Sequence, residues 1–303
     1  MKLAAPFLTR LLRVTARAIE ATLPRVRTTA DEEAIHDMRV AVRRMRVLLK
    51  IARPIWIRPQ IEAIRAGFTL VHRATSELRD EEVLRETLAD APLTTPTFVR
   101  FRNTRAKREA DLRGQARARL RGGALRRPRE KLNALLMLPG ARPVSLEHFA
   151  LKVHHRLHDR VKKQRHAAVD DGVALHELRI AFKNLRYASE LLEPALPPER
   201  AATAKPAAKF QKHLGEVHDL DVATEIVKRA RALTHDDRAM LVTWLAARRD
   251  KRIRSYLEDR ESLVLIEPVK VPIPVASSLT PSPSPSPSPS RAPSRSRARS
   301  PKA

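Results

Sequence analysis

Two stretches of the chain carry residues whose types and spacing could do chemistry: IHDMRVAVRRMRVLLK at 35–50 and LHELRIAFKNLRYASE at 175–190. Wound at 100° per residue, the first gathers His36, Arg39, Arg43, Arg46 and Lys50 into a band of roughly 80°. Ile35, Met38, Val42, Met45 and Leu49 fill the opposite face. The second stretch sets His176, Arg179, Lys183 and Arg186 over Leu175, Leu178, Phe182 and Leu185 in the same way. Neighbours three or four apart on a helix lie ~5–6 Å from each other, so each row lays donors along about 15 Å of axis. Arginine offers a planar fork for paired anionic oxygens, lysine a mobile point charge, and histidine a donor whose charge rises beside an anion. The chemistry of such a row is the capture of an extended polyanion.

Rows of this kind need helices to hold them, and the composition favours helices. The chain has 303 residues, 43% of them hydrophobic, enough for a core in two domains or one large duplicated one. Sixty Lys+Arg against thirty-four Asp+Glu leave +26 at neutral pH, which points to a polyanionic partner. The absence of cysteine excludes disulfides, thiolate nucleophiles and thiolate metal sites, and suits a reducing compartment. Seven glycines and weak β-branched alternation leave little room for sheet, so the ordered part is predicted to be all-α. No window approaches the ~18 uninterrupted apolar residues of a membrane span.

In chain order, residues 5–21 predict a helix with Phe7, Leu8, Leu11 and Leu12 on one face and Arg10, Arg13 and Arg17 on another. Arginine breaks its apolar run too early for a secretory leader, and a transit peptide is the minor alternative. Pro24 and Thr28-Thr29 are expected to close it, and Asp31, Glu32 and Glu33 suit the positive end of the helix that carries the first row. One helix over 60–78 is expected to run into RDEEVL at 79–84. A long helix from Phe98 to Arg121 holds so many arginines that most are expected to be solvated, and Pro139-Gly140 ends the first half. The second half opens with a helix from about Ser145 to Ala168, where His148, Lys152, His155, Lys162 and His166 share a face. After the second row, a helix through KFQKHLG at 209–215 leads into HDLDVA at 218–223, the counterpart of RDEEVL, and a last helix spans about 236–263. Two matches at almost one spacing, 36 with 176 and 79 with 218, indicate duplication of a helical unit of about 140 residues. From about Glu267 the composition turns to alternating Pro and Ser, then Arg291, Arg295, Arg297, Arg299 and Lys302 without an acid. That predicts a disordered basic tail, either simply solvated or adding phosphate grip that serine phosphorylation would weaken.

The histidine-headed repeats HDMRVAVRRMR and HELRIAFKNLR, each followed by an RD or HD step with a second acid, resemble the CHAD domain, named for its histidines and α-helices. The resemblance covers about residues 5–262, and the glutamate-rich strand signature of the triphosphate tunnel (CYTH) domain is absent. It implies two pseudo-symmetric antiparallel helical bundles, residues 1–140 and 141–264, with a basic cleft or pore between them, followed by the tail 265–303. It also implies inorganic polyphosphate as the ligand, with His36, Arg39, Arg43, Arg46, His176, Arg179, Lys183 and Arg186 facing the cleft. A thread with about one charge per phosphate and no bases to read calls for a dense row of donors, and for binding that falls steeply with salt. The further candidates are Lys50, Arg79, Lys209, Lys212, His213, His218, Arg10, Arg13, Arg17, Lys152 and His155. Asn184 in place of Arg44 and Glu190 in place of Lys50 predict a weaker grip by the second half. Arg39→Glu with Arg179→Glu is expected to abolish binding and leave helical content intact.

Nothing in the sequence points to turnover. There is no Walker loop, nucleophile elbow or pair of catalytic carboxylates, and no cofactor or metal is expected. Asp80, Asp219 and Asp221 are read as anchors for arginines, and the His218-Asp219 dipeptide is too common to mark a phosphohydrolase. The expectation is a non-catalytic polyphosphate-binding module in the cytoplasm, on polyphosphate or polyhydroxyalkanoate granules. The alternative is a DNA- or RNA-backbone binder helped by the tail, although 4% aromatic residues argue against stacking on single-stranded bases. A solvated basic face on each helix is the plainer reading, and the matched duplication weighs against it.

Overall fold

The first 52 residues set the pattern for the fold. The computed structural model describes residues 2–28, 31, 33–140 and 143–261, and the expectations for the segment 265–303 lie outside them. Leu8, Leu12, Ile19 and Val26 form the buried stripe of α1 (Ala4–Arg27), and Ile35, Met38, Val42, Met45 and Leu49 that of α2 (Glu33–Ala52). The two stripes pack on each other, and Arg25 fastens the turn between them with 2.6 Å contacts to Asp31 and Asp37. Pro24 does not close α1, which runs on to Arg27. A proline near a helix end costs little beyond one backbone bond, and the Arg25 contacts hold that last turn.

The next segment differs from the single helix expected over 60–78. It divides into α3 (Arg58–Arg73) and α4 (Ser76–Thr87), with a break at Ala74 and Thr75. Thr95 caps the N-terminus of α5 (Pro96–Arg121) by accepting from the Phe98 amide at 3.2 Å, and Pro96 takes the first position, where no amide is needed. A short α6 (Arg126–Leu136) ends the first half. The second half comprises α7 (Leu146–Gln164), α8 (Gly172–Leu192), a 3-10 turn at Glu193–Ala195, α9 (Pro198–Ala201), α10 (Ala204–Lys228) and α11 (His235–Glu261). Asp171 caps α8 by accepting from the amides of Val173 and Ala174. Among the described residues the fold is all-α, and the one extended contact is an isolated bridge between Leu3 and Ser145.

The duplication is visible in the packing. The α1–α2 pair recurs as α7–α8, and α4–α5 recurs as the C-terminal part of α10 with α11. The halves meet where α2 packs on α8 and α1 on α7, and again where α4 packs on α10. The main core runs through both halves, from Leu12, Met45 and Phe68 to Phe182, Phe210 and Tyr256. Phe182 stacks on Phe210 at 5.0 Å between centroids, and Tyr256 meets Phe210 edge-on at 6.1 Å. Each such buried side chain stabilises the fold by about 1.5–3 kcal/mol. A smaller core of Leu84, Leu88, Phe98 and Phe101 against Leu220, Val227, Leu241 and Leu245 seals the α4–α10 junction. The helices that carry the two basic rows face each other between these apolar junctions.

Most arginines of α5 are exposed as expected, Arg102, Arg108, Arg119 and Arg121 among them, but several are also tied to acids. Arg105 and Arg108 both reach the buried Glu81 of α4, at 3.0 and 2.8 Å, and Arg113 bridges Glu82 and Glu109 at 3.1 and 2.8 Å. Arg85 of α4 returns the contact to Glu109 at 2.8 Å. With little apolar surface on either helix, α4 and α5 are held by a lattice of charge-assisted bonds.

Candidate anion-binding cleft

The apolar stripes of α2 and α8 are bound into the core, and the basic faces beside them converge. Arg39, Arg43, Arg46 and Lys50 come from α2, Arg179 and Lys183 from α8. The electrostatics show how closely the rows converge. The Lys183 amine is pushed down to about 8 by burial and then by Arg179, Arg43, Arg46 and Lys50. Burial and the charge of Arg43, on the other row, lower the Arg179 guanidinium despite Asp219. Burial lowers Lys50 as well, followed by Arg160 of α7 and by Arg53 and Arg65. Arg43, Lys50, Arg179 and Lys183 make no ion pair among the described residues, so these positive charges meet without neutralisation.

The helix α3 supplies residues that the sequence reading missed. His72 is driven down to about 3 by burial and by Arg39, Arg46 and Arg43 of α2 with Lys183 of α8, and its Nε2 has no partner. Burial lowers Arg46, and Arg65 and Arg73 add to it from the same side. The signal was present: Arg65, Thr69, His72 and Arg73 recur at helical spacing opposite Ile61, Ile64, Phe68 and Val71. From α7, Arg156 and Arg160 extend the basic surface beside Lys50, and they fall in the i, i+4, i+8 series that begins with Lys152.

The two copies use their matched residues differently. Arg39 is 6% exposed and donates to the His72 carbonyl at 3.3 Å and to the Thr75 hydroxyl, holding the open end of α3. At the corresponding place the second copy has the unbroken α10, which offers no open carbonyl, and the Nε of Arg179 has no partner. Arg46 donates to Thr69 at 3.0 Å, whereas its counterpart Arg186 is held by Glu190 at 2.7 Å and lies over the Tyr187 ring. Arg39→Glu with Arg179→Glu would therefore unseat the α2–α3 junction as well as remove charge, so Arg43 and Lys183 are the cleaner positions for substitution.

At the α4–α10 end carboxylates join the cations. Burial raises the Asp80 carboxyl, which lies near Arg39, and raises that of Asp219, which lies near Arg179, Arg79 and Asp80. Neither makes an ion pair within 4.0 Å among the described residues, whereas Asp221 binds Arg249 at 2.6 Å as an anchor. His176 and His218 stand beside these acids with ring centroids 5.1 Å apart. Burial, Arg179 and His176 bring His218 down to about 4, and burial followed by Arg179 and Lys183 lowers His176. His36 is exposed at the start of α2.

Several sequence candidates are tied to acids, sit at the margin of this convergence or lie apart from it. Arg79 reaches Glu82 and Glu86 of its own helix at 3.6 and 3.5 Å. Lys209 and His213 share Asp259 of α11, at 2.5 and 2.7 Å, and serve the α10–α11 contact, with Lys212 exposed beside them. His155 binds Asp159 at 3.1 Å and Lys152 is exposed on α7. Arg10, Arg13 and Arg17 line a separate groove against Leu138, Pro139, Gly140 and Pro143. No cluster among the described residues could hold a metal ion, and no described helix is long and apolar enough to cross a membrane.

The arrangement matches known proteins in sequence family and in fold. The CHAD domain family model matches residues 10–228, which takes in both basic rows and both RD/HD steps. The fold is similar to the crystal structure of the CHAD domain from the plant Ricinus communis, with a TM-score of 0.70 and 22% identity, over 88% of this chain and 94% of that one. It is also similar to PptA from Streptomyces chartreusis, with a TM-score of 0.54 and 18% identity, over 86% of this chain and 99% of that one. None of the curated proteins matches the sequence. The chain belongs to the CHAD domain family.

Proposed function

We propose that the cleft binds inorganic polyphosphate without turning it over, in a protein built of a first half at 1–140 and a second at 141–264. One observation carries the reading: Arg43 and Lys50 of one row and Arg179 and Lys183 of the other converge without an ion pair among the described residues, and Lys183 is pushed down to about 8 by burial and then by Arg179, Arg43, Arg46 and Lys50. A fold tolerates such repulsion at a cost in stability, and a polyanion threaded between the rows would relieve it. Polyphosphate suits the site because its charge is linear and dense, and because the donors form rows rather than a pocket with a shape to read. Arg43, Arg46 and Lys50 grip from one side and Arg179 and Lys183 from the other, with His72, His176 and His218 able to gain charge once phosphate is present. By this reading the chain works where polyphosphate accumulates, on its granules.

The test is a titration of long-chain polyphosphate into the full chain and into Arg43→Gln with Lys183→Gln, repeated over a range of salt. Each cation that neutralises a phosphate contributes about one unit to the salt slope. The double variant should therefore lose about two units of slope and at least tenfold in affinity at ~150 mM salt. Duplex DNA and ATP, added as competitors at equal phosphate, should displace little polyphosphate. Equal displacement by DNA would make this a general polyanion surface, and unchanged binding by the variant would remove the cleft from the reading.

A further inference from the structure

On the outer side of α1 a second cationic site is built on different principles from the cleft. Arg10, Arg13 and Arg17 form one wall of an open groove of about 770 Å³, and Leu3, Val14 and Leu138 add apolar surface to it. The three arginines are exposed, and among the described residues they make no ion pair and no carboxylate lines the groove. Leu3 is 39% exposed, Val14 55% and Leu138 47%, three of the nine large apolar side chains left open among the described residues. The neighbouring Met137 is 81% exposed. Such clustering beside charge marks an interaction surface more often than scattered single exposures do.

The groove is preformed. Backbone bonds of 2.9 Å from Ala4 to the Val144 carbonyl and from Leu146 to the Lys2 carbonyl pin the start of α1 to the residues that precede α7. At Gly140 an added Cβ would stand 2.6 Å from that of Ala5, so the approach of the two segments depends on the missing side chain. Little ordering entropy is left to be lost when a ligand enters.

The chemistry narrows the occupant. Polyphosphate would gain nothing from Leu3, Val14 and Leu138, and a flat lipid surface cannot follow a concave groove. A second copy of this chain brings +26, and its own C-terminal sequence brings Arg291, Arg295, Arg297, Arg299 and Lys302, so both have the wrong sign. We propose that this groove docks an acidic, apolar-anchored segment of a partner protein. Carboxylates of the segment pair with Arg10, Arg13 and Arg17, which span about 10 Å or two helical turns. Its apolar side chains cover Leu3, Val14 and Leu138, giving affinity where the charges give register. The proposal does not rest on polyphosphate binding, since the two sites share no residue.

The test is selection of displayed random peptides of about 12 residues on the full chain, with depletion on the full-length variant Arg10→Glu, Arg13→Glu, Arg17→Glu. The expected consensus combines acidic and apolar positions. Synthetic versions should bind the native chain and lose at least about tenfold on the triple variant and on Val14→Asp. Serine at the apolar positions of the peptide should weaken binding to a similar extent. Polyphosphate affinity of the triple variant should stay within about twofold of the native value. No enrichment, or a consensus of acids alone that survives the serine changes, would overturn the proposal. So would vesicles of anionic phospholipid that bind the native chain and not the triple variant, or a triple variant that loses polyphosphate as steeply as the cleft variant.

Discussion

Glu190 occupies the place that Lys50 holds in the first copy, and the structure gives that exchange a physical reason. Its carboxylate takes Arg186 at 2.7 Å on its own helix and Arg44 of the facing helix at 3.8 Å. Under the two-fold relation between the copies, a lysine at 190 would confront Arg44 across the α2–α8 contact. The same relation sets position 184 against Lys50, and there a buried Asn replaces Arg. Both departures from the repeat thus remove like-charge contacts across the α2–α8 junction, at the cost of two cations and the commitment of Arg186. Glu190→Lys reverses the trade. It should raise polyphosphate affinity several-fold and steepen the salt slope by one to two units, since it frees Arg186 and adds a charge. The lost pairs and the new repulsion should lower stability by about 1 kcal/mol, read as a shift of the urea midpoint. Weaker polyphosphate binding by this variant would show that Glu190 positions the grip rather than limiting it.

At the scale of elements, the lattice between α4 and α5 separates charge used for structure from charge left for a ligand. Glu81 is 6% exposed and receives two arginines, so Glu81→Ala leaves Arg105 and Arg108 without their main partner in a half-buried site. We expect a loss of about 2 kcal/mol in urea unfolding and no change in the salt slope of polyphosphate binding. A changed slope would bring α5 into the binding surface. The same lattice shows what the sequence reading of α5 left out, the pairing of Arg105, Arg108 and Arg113 with the acids of α4. Periodicity assigns a face to each residue but not the face of the neighbouring helix, and the glutamates that neutralise α5 lie some 25–30 positions earlier, in a segment read as the end of another helix. The α2 and α8 rows were legible because each carries its own apolar stripe and each is duplicated. His72 and Arg65 stand out less in the sequence although α3 has the same kind of stripe, because α3 carries no histidine-headed row like those of α2 and α8. The break at Ala74–Thr75 has no glycine or proline to announce it, and it is held by Arg39, a contact across 33 residues to the His72 carbonyl.

For the whole molecule, the empty cleft and the filled cleft should respond to pH and salt with opposite signs. In the free protein Lys183 sits at about 8, His218 at about 4 and His72 at about 3, each below its ordinary value because burial and neighbouring cations disfavour the charged form. A base depressed in the folded state favours folding only while it stays neutral. The Lys183 contribution is therefore complete above the unfolded value of about 10.5 and is lost as pH falls towards 8, and those of the imidazoles are lost as pH falls from about 6.5 towards 4. A bound polyanion stabilises the same charged forms, so their values rise and binding takes up protons, at pH 8–9 chiefly on Lys183. Titration calorimetry at pH 8.5 in buffers of different ionisation enthalpy should show this uptake in the native chain, and Lys183→Met should abolish most of it. Salt follows the same logic, since at 0.1 M the screening length is about 10 Å, comparable to the ~8–10 Å between the axes of packed helices such as α2 and α8. Raising salt should increase the melting temperature of the free protein by weakening repulsion across the cleft. In saturating polyphosphate it should lower the melting temperature, because the ligand's contribution shrinks faster than the repulsion it relieves. Parallel salt curves with and without polyphosphate would mean that the ligand binds away from the converging rows, whatever its affinity, because only an anion between the rows can exchange the sign of their contribution.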